Sequence, residues 1–396
     1  MTDFQLQEYE TRLDGLRKVL AENNVDVAVL NLNSDLYYYT GSVKPLCAII
    51  PAKGEPFVFA RKALQKIREE IVGFRLEEFR NTNDLLQTIK RNGLTYVKQV
   101  GFTLDSAAYS TVQRWREVFP EAAISDLSWQ IRQLRMVKSE AEIARFVQAG
   151  RILSKLPQIV QESFRPGMTE LELSAAIEHY FRLNGHCGLT RCRSEVMEMG
   201  FGVCSSGTNS LAGTKFDGIC AGVGVSNAVP YGAGRHAIAS NQPVIMDYGF
   251  NFGGYHSDQT RMLSWGEPET SVLKAYQAML KVEETILGEL KPGRLWSAVY
   301  ETALQAAAAT GYEAEFMGLG PEKVRFVGHG VGLELDEPPL LAPRMNFPLE
   351  AGMVVAIEPK VSLPGLGVIG IEDTVVIREN GIEVITTCPK DFFVIG

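Results

Sequence analysis

The stretch Pro243-Val-Ile-Met-Asp-Tyr-Gly-Phe-Asn-Phe-Gly-Gly-Tyr-His-Ser-Asp-Gln-Thr-Arg261 holds two apolar, strand-like runs that meet at Gly253-Gly254, the punctuation of a β-hairpin. Each run carries one carboxylate, Asp247 in the first and Asp258 in the second. Strand alternation puts Asp247 on a face with Ile245 and Gly249, and Asp258 on a face with His256, Thr260 and Met262. A carboxylate on a buried strand face is costly unless a counter-charge or a metal ion offsets its desolvation. The remaining chain must supply one or the other.

Downstream, Val324-Arg-Phe-Val-Gly-His-Gly-Val-Gly332 sets His329 between glycines, where backbone can approach a ligand closely. Met353-Val-Val-Ala-Ile-Glu-Pro-Lys360 ends an apolar strand on Glu358, and Val368-Ile-Gly-Ile-Glu-Asp-Thr-Val-Val-Ile377 places Glu372 mid-strand. Small neighbours on the same faces (Gly249, Ala356, Gly370) leave room for something bulky above the sheet. The nearby cations Arg261, Arg325 and Lys360 can neutralise some of the four carboxylates but not evidently all. Four carboxylates with one imidazole suit two divalent ions, and oxygen-rich ligation accepts manganese, iron, cobalt or zinc, of which manganese is the favoured expectation. Two such ions about 3.5–4 Å apart can share a water, lower its pKa and polarise a carbonyl. Residue patterns alone leave both routes open, ion pairing and metal binding.

The chain of 396 residues, 45% of them hydrophobic, is long enough for two domains. Its balance of 47 acidic to 39 basic residues, without a basic stripe, argues against nucleic acid as a partner. No apolar run approaches the ~20 residues of a membrane span, and the N-terminus lacks the basic and apolar regions of a secretion signal. A cytoplasmic protein with free thiols is expected, because the six cysteines have neither zinc-knuckle nor CxxC spacing. The glycine-rich Gly222–Gly232 segment lacks the pattern and the strand–loop–helix order of a phosphate loop.

In the first third, strand candidates at 25–30, 47–51, 56–60, 74–79 and 97–102 alternate with helical patterns, which predicts an α/β domain. Tyr37-Tyr38-Tyr39 reads as an aromatic strand. The domain boundary falls near Gln133–Ile143, giving domains 1–136 and 137–396. Ser139 with Glu142 forms a capping box, so one long helix is expected from Ser139 to about Phe164; Thr169 with Glu172 opens a second, to Leu183.

With these motifs in place, the chain resembles the creatinase, aminopeptidase P and prolidase superfamily, whose catalytic domain has the pita-bread fold of methionine aminopeptidase. The matching signatures, in family order, are Met246-Asp-Tyr-Gly, Gly254-Tyr-His-Ser-Asp-Gln-Thr-Arg261, Gly328-His-Gly-Val-Gly-Leu-Glu334, Ala356-Ile-Glu-Pro359 and Ile371-Glu-Asp-Thr374. The first third resembles the creatinase-like N-terminal domain, and Ile131–Ser139 resembles the inter-domain junction. The resemblance implies an α/β N-terminal domain followed by an α+β pita-bread catalytic domain. It implies that Asp247 chelates one ion, that Asp258 and Glu372 bridge two, and that His329 and Glu358 complete the other. It also implies that a bridging water attacks the scissile carbonyl while Glu358 shuttles the proton, in a homodimeric hydrolase of Xaa-Pro peptides.

The departures concern substrate. Tyr231 stands where the peptidases usually have histidine, Asp336 where they have a second histidine, and Gly370 where prolidases often have arginine. Tyr231, Asp336 and His256 are the candidate substrate contacts; His236 reads as a surface residue. These changes keep open a creatinase-like hydrolase of a non-peptide amide or amidino compound, and a non-catalytic binding module on the same fold.

Overall fold

The structure is a computed structural model that describes residues 4–193 and 198–396. It divides into two compact units, one ending at Arg135 and the other running from Met136 to Gly396. No helix among the described residues is long and apolar enough to cross a membrane.

The first unit is built on a six-stranded mixed sheet of β1 (Val27–Leu30), β2 (Cys47–Pro51), β3 (Phe57–Ala60), β4 (Arg75–Glu78), β5 (Gln99–Phe102) and β6 (Ala123–Asp126), ordered β4-β3-β2-β1-β5-β6. Phe57, Phe59, Phe79, Trp115 and Phe119 fill one side of it. Tyr37–Tyr39 is not a strand. It lies in a helix, Asn33–Thr40, that ends at Gly41 with φ 80°, a conformation only glycine adopts cheaply. Tyr38 and Tyr39 are buried, and the Arg12 guanidinium lies 4.2 Å from the Tyr38 ring centre. Burial and a cation–π contact outweigh the strand preference of tyrosine.

In the second unit both capping boxes form, at Ser139 with Glu142 and at Thr169 with Glu172. The long helix expected over 139–164 is two helices, Glu140–Leu153 and Leu156–Ser163. Pro157 explains the break: it lacks an N–H, and its ring would meet the carbonyl of Leu153 in a continuous helix, so it begins a new one. These helices and Glu170–Leu183 pack Leu153, Ile177 and Phe181 against Tyr248 and Phe250 of the sheet.

That sheet has nine strands. The main path is β11 (Glu337–Leu340), β10 (Gly328–Gly330), β12 (Val354–Ile357), β15 (Glu372–Arg378), β9 (Tyr255–Trp265), β8 (Pro243–Phe252) and β7 (Gly202–Ser206). β16 (Gly381–Val384) pairs with β15, and β17 (Phe393–Ile395) with β9. A separate ribbon joins β13 (Lys360–Leu363) to β14 (Gly367–Gly370).

His186 tests the packing of the helical layer. It is buried, stacked 4.1 Å from Phe201 and edge-on to Phe250, and its ring accepts a hydrogen bond from the Gly188 amide. Burial, with help from His256 and Arg182, pushes its pKa down to about 4. The folded state therefore holds the neutral ring, while the unfolded chain takes up a proton near pH 6.5. Its contribution is complete above pH 6.5 and is lost as the pH falls toward 4. Between pH 7 and 4.5 this one residue should cost roughly 2–3 kcal/mol of stability. His186→Phe keeps the stacking and flattens the decline in thermal midpoint; an unchanged slope would refute the assignment.

Candidate metal centre

The sheet register assembles the site. His329 pairs with Ala356, and Ala356 with Thr374; Glu372 faces Thr260, which places Thr374 level with Asp258, and Asp258 faces Gly249. One row across five strands thus reads His329, Ala356, Thr374, Asp258, Gly249. The adjacent row on the same face reads Glu372, Thr260, Asp247, with Glu358 entering where β12 ends. Within the strands, acidic residues sit opposite small or hydroxyl-bearing ones, which avoids direct like-charge pairs. The Thr374 hydroxyl accepts from the Asp258 amide at 2.9 Å and donates to its carbonyl at 2.8 Å, locking the two strands. Thr260 donates to Glu372 Oε2 at 2.8 Å.

Asp258, His329 and Glu372 each offer a ligand atom, all within 4.8 Å of one another, and all three residues are buried. His329 Nε2 lies 3.6 Å from Glu358 Oε1 and 3.9 Å from Glu372 Oε1. Glu372 Oε1 is buried and has no hydrogen-bond partner among the described residues, an orphaned acceptor that a cation would satisfy. Burial, then the charges of Glu372 and Asp247, hold the Asp258 carboxyl well above its usual pKa. Burial also raises Asp247, opposed by Lys360 and reinforced by Glu372. His329 is lowered by burial but more than recovered by Glu358, Asp336, Asp258 and Glu372, ending at about 9. Surplus negative charge thus disfavours the ionised forms of Asp258 and Asp247 and favours the protonated ring of His329. The donor set, carboxylates with one imidazole and no thiolate, fits a divalent ion at Asp258, His329 and Glu372.

One of the three nearby cations named from sequence, Lys360, proves to be central. Lys360 Nζ lies 2.7 Å from Glu358 Oε2, 3.0 Å from Asp247 Oδ2 and 3.0 Å from Glu372 Oε2. Its position two residues after Glu358 was the available signal, since i and i+2 share a strand face. The space beside Gly370, expected to accept something above the sheet, is taken by the Lys360 stem.

Of the candidate substrate contacts, Asp336 lines a cavity of about 80 Å³ with Asp247, Asp258, His329, Glu358 and Glu372. Tyr231 is not on that cavity. It lines a neighbouring pocket of about 210 Å³ that shares Phe216 and Cys220 with the first, its ring 5.1 Å from that of Phe216. His256 shares the face of Asp258 but sits one row further along, fully buried. It accepts from the Arg191 amide at 3.2 Å and lies 3.0 Å from the Gly332 carbonyl, and burial pushes its pKa down to about 4. Those partners occupy both ring nitrogens, so His256 fixes neighbouring backbone instead of facing the cavity. His236 is exposed.

The family model for metallopeptidase family M24 matches residues 144–379, well over half of the chain. The chain belongs to this family. A second model, for the creatinase/prolidase N-terminal domain, matches residues 12–137. Membership implies a peptidase that uses divalent metal. Among relatives of this M24 peptidase is an uncharacterized peptidase of Bacillus subtilis named YqhT, 27% identical over 97% of this chain and 100% of its own length. A Xaa-Pro dipeptidase of Pyrococcus furiosus is 25% identical over 96% and 99% respectively. A solved Xaa-Pro dipeptidase from Bacillus anthracis superposes with a TM-score of 0.82 over 98% of this chain and 99% of that one, at 24% identity. That likeness shows the two-domain fold with a pita-bread catalytic part.

Proposed function

We propose that this M24 peptidase hydrolyses the amide bond of small Xaa-Pro peptides with divalent metal, manganese favoured. The observation that carries it is the convergence of Asp258, His329 and Glu372 on one buried point beside Glu358. The Xaa-Pro dipeptidases among its full-length relatives support the substrate class. When bound, the ion supplies Lewis acidity and an acidified water. The chain's own residues do the rest. Asp258, His329 and Glu372 would hold the ion, and Asp247 adds negative charge to the same cavity. Glu358, 7% exposed at the cavity, is placed to take a proton from the attacking water and pass it to the leaving amine. The proposal includes a homodimer, tested by mass in solution, and a cytoplasmic setting, supported by six free cysteines.

A specific observation favours a second substrate class. Asp217 and Asp336 line the cavity, and the arginine position of prolidases is Gly370, so the rim attracts a cationic group instead of a carboxylate. A creatinase-like amide or amidino compound fits that rim. Assays with manganese separate the two. Xaa-Pro dipeptides should turn over at least tenfold faster than matched non-proline dipeptides, with amidino compounds inert. Turnover confined to amidino compounds would reverse the assignment, and metal-dependent turnover of either class excludes a mere binding module.

A further inference from the structure

We propose that the centre takes one divalent ion per chain, and that the Lys360 ammonium permanently holds the position of a second cation. This rests on the metallohydrolase assignment above and revises the pair of ions implied by four carboxylates. The ammonium contacts one oxygen from each of three carboxylates, Glu358 Oε2, Asp247 Oδ2 and Glu372 Oε2, at 2.7–3.0 Å. Ions of the zinc type bind such oxygens at about 2.0–2.2 Å. An ion serving those same three oxygens would therefore lie on top of Nζ.

Glu372 shows the division of labour. Its Oε2 is saturated by the Thr260 hydroxyl and Lys360. Its Oε1, without a hydrogen-bond partner among the described residues, faces His329 Nε2. One oxygen is left for an ion on the side of Asp258 and His329, and the other is already committed to the lysine.

Lys360 is also built into its place. It is 1% exposed, and the β13–β14 ribbon pairs it with Gly370. A Cβ at residue 370 would come within 2.4 Å of Lys360 Cγ and 2.7 Å of the Pro359 carbonyl. Only glycine opposite leaves the stem its path, so the lysine and the glycine form one feature. Swinging the ammonium aside would require carrying a buried charge past carboxylates that hold it on three sides. The charge count agrees. One divalent ion plus the ammonium gives three positive charges against four carboxylates. A second ion would raise that to five in a cavity of about 80 Å³.

The test counts ions without assaying turnover. Wild-type protein is equilibrated with Mn²⁺, dialysed, and measured by mass spectrometry of the metal and by electron paramagnetic resonance. One ion per chain with the spectrum of an isolated Mn²⁺ is expected. Lys360→Met should bind two, with the exchange coupling of a pair about 3.5–4 Å apart; Lys360→Arg, which keeps the charge, should stay at one. Two coupled ions in the wild type overturn the proposal and leave the metallohydrolase assignment standing, whether or not any variant folds. A folded Lys360→Met that stays at one ion overturns the claim that lysine excludes the second. No bound ion in the wild type overturns both.

Discussion

Asp258→Asn is expected to lower kcat/KM at least 10³-fold, a loss of about 4 kcal/mol of transition-state stabilisation, and to strip the centre of metal. The substitution is nearly isosteric. The hydrogen bonds that lock β9 to β15 at this residue run through its backbone amide and carbonyl to Thr374, so they survive. The side-chain oxygen that accepts from the Gln259 amide survives as well. What disappears is one anionic donor at a point where Glu372 and His329 converge. The stability effect should have the opposite sign. Without metal, Asp258 is buried beside Asp247 and Glu372, and burial with those like charges disfavours its ionised form. Asparagine removes that repulsion, so the metal-free variant should melt above the metal-free wild type. Added Mn²⁺ should raise the midpoint of the wild type and leave the variant unmoved. A variant that melts lower without metal, or that still gains stability from Mn²⁺, would show that Asp258 is a structural acid and not a ligand.

The five ligand-type residues were legible because strand alternation is a strict period. Once Asp247, Asp258 and Glu372 are read on strands, their faces follow. Their convergence was not legible, because it depends on joining the local β8–β9 hairpin to the local β12–β15 pair, and that junction, Glu372 opposite Thr260, links segments more than a hundred residues apart in sequence. Lys360 shows the same limit. Its place beside Glu358 follows from alternation, but its entry among three carboxylates depends on Gly370 across the ribbon. Helix ends were readable from Ser139 and Thr169 because a capping box is local chemistry. Pro157 is equally local, and it divides in two the helix that the capping box at Ser139 predicts as one. Tyr37–Tyr39 failed for a different reason: a propensity weighs about as much as one packing contact, and burial beside Arg12 outweighed it.

The ligand strands are held from behind by a second buried charge pair, and breaking it should be the most destabilising single change in the unit. Arg261 and Asp373 are both fully buried, with Nη2 2.7 Å from Oδ1. The guanidinium also donates to the carbonyls of Thr260, Glu372, Cys388 and Pro389 at 2.7–2.9 Å. Asp373 in turn accepts from the Thr386 hydroxyl and pairs with Lys390 at 2.7 Å. Asp373→Ala leaves the guanidinium charged in a dry interior, and such uncompensated charges cost about 3–5 kcal/mol. Surface pairs such as Arg378 with Glu383 should cost under about 1 kcal/mol when broken. Urea midpoints of the two variants therefore make a direct contrast. Adding Arg261→Met to Asp373→Ala removes the orphaned charge and should recover part of the loss, a coupling that two independent defects would not show. Because Arg261 donates to the backbone of Thr260 and Glu372, the single variant should also loosen the strand that carries the orphaned Glu372 oxygen. Mn²⁺ affinity should then fall although no ligand has changed. An Asp373→Ala protein as stable as wild type, with its metal affinity intact, would mean that the sheet positions the carboxylates without help from the charges beneath it.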